Sequence, residues 1–203
     1  MEKIDLKKQW KNLYQPKPDS AVAVEVPPIK YLMVDGEGNP NTEPEYQNAI
    51  EALFTLSYTL KFTIKKGPRA IDYGVMPLEA LWWADDPNSF HLADKSSWKW
   101  TAMIAQPEFI GQSNVDAAFA TASKKKNLAA LDRIRFETLE EGTVAQILYV
   151  GPYSAEGPTI QRVHEFIHES GKALHGKHHE IYLNDKRRTA PEKLKTILRQ
   201  PMR

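Results

Sequence analysis

No cysteine occurs among the 203 residues. Disulfide frameworks, thiol nucleophiles and Cys-ligated metals are therefore excluded. Charge of one sign is also lacking: 27 Lys and Arg against 26 Asp and Glu leave a formal net charge of +1. No overall field then favours nucleic acid. The tail from Lys186 is locally basic (Lys186, Arg187, Arg188, Lys193, Lys195, Arg199, Arg203) and reads as a solvated edge. No apolar run approaches the ~20 residues of a membrane helix, and the charged first eleven residues lack a signal-peptide core. A soluble, cytoplasmic protein with neither a nucleic-acid nor a membrane partner is expected. Low-complexity segments are missing too. The apolar fraction of 41% suffices for one large domain or two closely packed small ones.

What is present is a pattern that occurs twice. Each time a short apolar strand ends in Gly, an amphipathic helix follows, and then comes a strand with one Glu among large apolar residues. The first copy runs from Ile29 to Val34, through Gly36 and a helix from about Pro44 to Lys65, to Pro77–Trp83. The second runs from Gln146 to Val150, through Gly151 and a helix from about Pro158 to Ser170, to His178–Leu183. The Glu residues are Glu79 and Glu180. A carboxylate on an apolar strand is costly to bury without a partner. Matching places in two half-domains predict a pocket shared between two related units.

Residues 2–14 read as a short helix or arm, ended by Pro16, Pro18, Pro27 and Pro28. The strongest helix spans 42–65, with Thr42 or Asn41 as cap and Pro44 in the first turn. Tyr46, Ile50, Leu53, Ser57, Leu60 and Ile64 form its core face. Strands are expected at 74–84 and 97–106, around a turn at 85–88. A helix follows over 115–125, then a hairpin of 133–139 with 143–150 about Glu140-Glu141-Gly142. After the second-copy helix and the strand at 178–184, Pro191–Leu194 forms one turn before a last strand at 195–201. The fold class is α+β: two pseudo-symmetric strand–helix–strand–strand repeats, about 29–106 and 133–201, with antiparallel sheet and helices on one face. Residues 1–28 form an N-terminal arm to a domain spanning 29–203.

Alternation places side chains. Glu79, Leu81 and Trp83 share a face, with Trp82 opposite. Trp98, Trp100 and Ala102 share one, as do Glu180 and Tyr182. Four of the five Trp lie on two neighbouring strands, which suits either an aromatic core or a flat ligand.

His164-Glu165-Phe166-Ile167-His168 matches H-E-x-x-H, in which two His one turn apart hold zinc and the Glu activates water. Helical phase argues against it. Ile160, Val163, Phe166 and Ile167 define the buried side, so His168 points away and His164 lies on the flank. The third ligand would have to be Glu180 or Glu192, with no local signature for either. His175, His178 and His179 belong to a turn and a strand start. No metal and no other cofactor is expected.

The segments Tyr149-Val-Gly-Pro-Tyr153, Gly176–Asp185 and Pro191–Pro201, with Tyr58–Phe62 and Met76–Trp83, resemble a GyrI-like domain over roughly residues 20–203. That resemblance implies two repeats with a ligand groove between them. It implies that Glu180 matches the buried Glu with which drug-sensing members bind cationic aromatic drugs. The Leu-Glu-Ala-Leu-Trp-Trp strand is similar to a stand-alone branch that includes hydrolases opening the cyclopropane of duocarmycin- and yatakemycin-type alkylators. The Pro-rich residues before Ile29 are too few for the DNA-binding domain of the regulators. Under this reading Trp83, Trp98, Trp100 and Tyr58 form a slot for an aromatic small molecule. Glu180 or Glu79 deprotonates water, its pKa raised by apolar surroundings. Tyr182 or Tyr149 donates to the oxygen that becomes phenolate. A non-catalytic drug binder or gyrase-inhibitor-like module is the alternative. Oligomeric state is left open.

Overall fold

The computed structural model describes residues 2–85, 95–125 and 127–203. In chain order the elements are β1 (Glu2–Ile4), α1 (Leu6–Gln9), α2 (Lys11–Tyr14), β2 (Val22–Val26), β3 (Ile29–Glu37), α3 (Pro44–Lys66), β4 (Ile71–Tyr73), β5 (Leu78–Trp83), β6 (Lys99–Gln106), α4 (Gln112–Lys125), β7 (Arg135–Leu139), β8 (Gly142–Val150), α5 (Gly157–Glu169), β9 (His178–Tyr182) and β10 (Lys195–Pro201). Asp86 to Asn88, in the expected turn, lie outside the described residues. The cap of α3 is Glu43, not Asn41 or Thr42, because Pro44 takes the first helical position and sets the start.

Eight strands form one antiparallel sheet in the order β2-β8-β10-β9-β5-β6-β3-β7, which curls into a half-barrel. Its centre is palindromic. β3, α3, β5 and β6 make the sub-sheet β5-β6-β3, and β8, α5, β9 and β10 make β9-β10-β8. The two Glu-bearing strands, β5 and β9, meet at the junction. Short parallel strands β1 and β4 pair separately.

Cross-strand partners share a face. One face carries Ala80, Trp82, Trp100, Ala102, Glu180 and Leu198 in register. Both long helices cover it. Tyr46 of α3 packs against Trp82 and edge-on to Trp100, with ring centroids 5.4 and 4.9 Å apart. Val163 and Ile167 of α5 cluster with Leu198. Ala49, Leu53, Leu56, Leu60 and Ile64 continue the buried stripe of α3 at helical spacing. Gly36 is required where β3 crosses Trp100, since a Cβ there would stand 2.1 Å from the indole. The opposite face is closed by the N-terminal residues, with Leu6, Leu13 and Tyr14 buried in the main core.

The hairpin expected about Glu140-Glu141-Gly142 does not form. β7 pairs with β3 at one end of the sheet and β8 pairs with β2 and β10 at the other. The connection joins the two ends of the curled sheet, with Gly142 at a φ of 65°. Local alternation and a Gly look the same for a hairpin and for such a crossing.

Candidate functional site

An open cleft of about 1730 Å³ runs along α3, with β5, β9 and the turn before α5 contributing to its walls. Such a volume accommodates a drug-sized ligand with room to spare. Tyr46, Ile50, Phe54 and Tyr58 come from α3, Leu78 and Trp82 from β5, Glu180 and Tyr182 from β9, and Tyr153 and Glu156 from the turn; Trp98 completes the aromatic wall. The indoles of Trp82 and Trp98 lie 5.4 Å apart. Lys66, Lys125, Lys186, Arg187 and Arg188 also line the cleft.

Glu180 is nearly fully buried. Its Oε2 accepts the hydroxyl of Tyr182 at 2.6 Å, and Tyr182 in turn accepts the Trp82 Nε1–H at 3.1 Å. His178 Nε2 stands 3.4 Å from Oε1, close enough to pair as ions but too long to bond well. Burial raises the Glu180 pKa, but the His178 contacts and the Tyr182 and Glu156 hydrogen bonds outweigh it and leave the group below its ordinary value. The elevated base expected from an apolar surround is therefore not Glu180.

The elevated carboxyl is Glu156. It is 2% exposed, it borders Glu180, and its Oε2 has no hydrogen-bond partner. Burial first, then the Glu180 charge and their mutual hydrogen bond, push its pKa up to about 9. Two buried carboxyls in contact do not both ionise at neutral pH.

A family model for the GyrI-like small molecule binding domain matches residues 22–202. This chain belongs to the GyrI-like family. Three solved structures from Listeria innocua are similar to this GyrI-like chain over nearly its whole length. One, an uncharacterized conserved protein, is 39% identical, with TM-score 0.91, 98% of this chain and 100% of its own covered. Another, a hydrolase, is 37% identical, with TM-score 0.90 and both chains covered in full. A further hydrolase is 36% identical, with TM-score 0.86, 98% of this chain and 100% of its own covered. No curated protein matches. The EcmrR C-terminal domain, 13% identical with TM-score 0.56 over 91% of this chain and 97% of its own, shares the fold.

Within this GyrI-like domain, the expected residues divide. Glu180, Tyr182, Tyr58 and Trp98 border the cleft. Glu79, Trp83, Trp100 and Tyr149 do not. Glu79 pairs with Ile181 and Glu180 with Ala80, a one-residue offset that puts the two carboxyls on opposite faces of the sheet. Trp83 follows Glu79 to that far face, where Lys177 Nζ stands 3.2 Å from its ring centre. Trp100 shares the Glu180 face but is sealed beneath α3. The Tyr149 hydroxyl donates to the Pro152 carbonyl at 2.9 Å.

Glu79 instead anchors a buried ion cluster. It accepts the hydroxyls of Tyr14 at 2.7 Å and Tyr31 at 3.1 Å. His179 bridges it, 2.9 Å from Nε2, to Glu141, 3.0 Å from Nδ1. Arg199 donates to Glu141 at 3.3 Å, to Gln146 and to the Leu13 carbonyl. Two carboxylates, an imidazolium and a guanidinium sum to zero. Burial lowers the His179 pKa, yet the Glu141 charge and bonds from Glu141 and Glu79 leave it raised. Burial likewise raises Glu141, but His179 and Arg199 bring it down to about 2. Every member of this cluster is satisfied, which is the mark of a structural device.

In α5, His168 is exposed and His164 half-buried, as helical phase predicted. Among the described residues, no group of three or more His, Asp and Glu gathers to hold a metal. Sequence reasoning missed Glu156, Tyr46, Tyr153 and Trp82. The signal for Trp82 was present, since alternation already set it opposite Glu79. Glu156, just before Gly157-Pro158, reads locally as a helix-start acid and nothing more.

Proposed function

We propose that this protein hydrolyses small aromatic electrophiles, adding water to cyclopropane-bearing alkylators of the duocarmycin and yatakemycin type and so detoxifying them. The observation that carries this reading is Glu180: a buried carboxylate held by Tyr182, at the edge of a wide aromatic cleft. Trp82, Trp98, Tyr46 and Tyr58 offer π-surfaces for a flat ligand. Glu180 accepts a proton from water as the water oxygen attacks the ring methylene. The strained carbon–carbon bond breaks, and its electron pair moves into the dienone, whose oxygen becomes phenolate. Tyr182 fixes the orientation of Glu180 through the hydrogen bond from its hydroxyl. The similarity to two Listeria innocua hydrolases supports the reaction class. Lys66, Lys125, Lys186 and Arg188 line the cleft beside Glu51 and Glu180, with Arg187 paired to Asp185, and this excess of positive charge suits a neutral ligand that develops negative charge.

The test is mass spectrometry of a duocarmycin-type cyclopropane compound incubated with the protein. Conversion to the product heavier by one water, faster than in buffer, is expected. Binding without conversion would refute the hydrolase reading and leave a small-molecule binder.

A further inference from the structure

Ring opening to a phenol needs a proton delivered as well as one removed. Tyr182 has its proton engaged with Glu180 at 2.6 Å, and Tyr149 lies outside the cleft, bonded to Pro152. Glu156 borders both the cleft and Glu180, is 2% exposed, and leaves Oε2 unbonded. The groups around it are Glu180 and Tyr182 on β9, Tyr149 on β8, Tyr153 in its own turn, and Lys95 before β6, with His178 facing the far side of Glu180 through Oε1. Of the two carboxyls, Glu180 has the better claim to the charge. It accepts from Tyr182 and faces His178, whereas among the described residues the charge of Lys95 favours ionisation of Glu156 less than burial and Glu180 oppose it.

We propose, resting on the hydrolase reading, that Glu156 and Glu180 share one proton as an acid–carboxylate pair, with Glu156 the catalytic acid that protonates the phenolate. Glu180 takes a proton from the attacking water, and the ring carbon–carbon bond breaks onto the dienone. Glu156 gives its proton to the resulting oxygen. The proton on Glu180 then crosses the hydrogen bond between the two carboxyls to Glu156 and restores the starting state. The sum is one water added and nothing oxidised or reduced. Pairs of carboxyls with pKa values driven apart divide acid and base roles in this way.

The test uses Glu156→Gln, which keeps the shape and removes the transferable proton, with a duocarmycin-type cyclopropane compound as substrate. Turnover should fall about a hundredfold, the lower end for general acid catalysis, with KM within about twofold. The parent should lose activity above about pH 9, as Glu156 ionises, and the variant should lack that alkaline limb. Glu156→Asp should recover part of the rate. Infrared spectra of the parent, which need no variant and no turnover, should show a neutral carboxylic acid at pH 7 that disappears above about pH 9. An unaffected Glu156→Gln rate, or turnover without that neutral band, would overturn the acid assignment alone. A parent with the band but without turnover would instead refute the hydrolase reading and the catalytic role built on it.

Discussion

Glu156→Gln should make the protein more stable at neutral pH even as it impairs turnover. In the folded state Glu156 holds its proton up to about pH 9, against an ordinary carboxyl value of 4.5. Between these limits the native state binds more protons than the unfolded chain, so stability falls as pH rises. At pH 7 the difference from the ordinary value is about 2.5 units, which at 1.36 kcal/mol each is a cost of about 3 kcal/mol. Gln has no proton to retain, and its amide can still donate to Glu180. Urea unfolding should therefore find parent and variant within about 1 kcal/mol near pH 4.5, and the variant ahead by about 3 kcal/mol at pH 7, with unchanged m. In a chain of this size that is a rise in Tm of roughly 6–12 °C. A stability difference that stays the same from pH 4.5 to 7, or that shrinks, would refute the claim that Glu156 is buried with a proton it must keep.

Glu180→Gln removes the base and the charge while keeping the shape, so turnover should drop about a hundredfold or more while ligand still binds; rates within twofold of the parent would misplace the site. Glu141 is held at about 2 against an ordinary 4.5, so its contribution of about 3 kcal/mol is present above pH 4.5 and lost as pH falls toward 2. Acid titration of Glu141→Gln should show a flatter loss of stability across that window, and an acid limb identical to the parent's would contradict the ion cluster. Changing His164 and His168 to Ala together should leave turnover and elemental zinc content unchanged; loss of one zinc per chain would revive the H-E-x-x-H motif.

The far-face cluster shows why half of the candidate site was misread. Glu79 and Glu180 looked equivalent because each sits on an apolar strand at the same place in its repeat. Whether two such carboxyls meet depends on the register between β5 and β9, and that register is set by contacts between segments a hundred residues apart. The observed offset of one residue sends Glu79 toward Tyr14, Tyr31 and His179, and Glu180 toward the cleft. Glu141 was read as part of a hairpin turn for a similar reason: local spacing cannot tell a turn between paired strands from a link across a curled sheet.

By itself the sequence determined what short-range periodicity controls. The 3.6-residue spacing of α3 and α5, the two-residue alternation of β5 and β9, and the duplicated order of strand, helix and Glu-bearing strand all follow from interactions within a few turns or pleats. It also placed Glu180 and Tyr182 on one face, and His168 away from the core. Tertiary structure alone decided which face of the sheet the long helices cover, and hence which Trp residues line a cleft and which lie sealed beneath Tyr46. It alone brought Glu156 to Glu180, from a turn 24 residues earlier in the chain. The physical reason is that a carboxyl's role is set by its dielectric surroundings and charged neighbours, and those neighbours come from elements that only folding brings together.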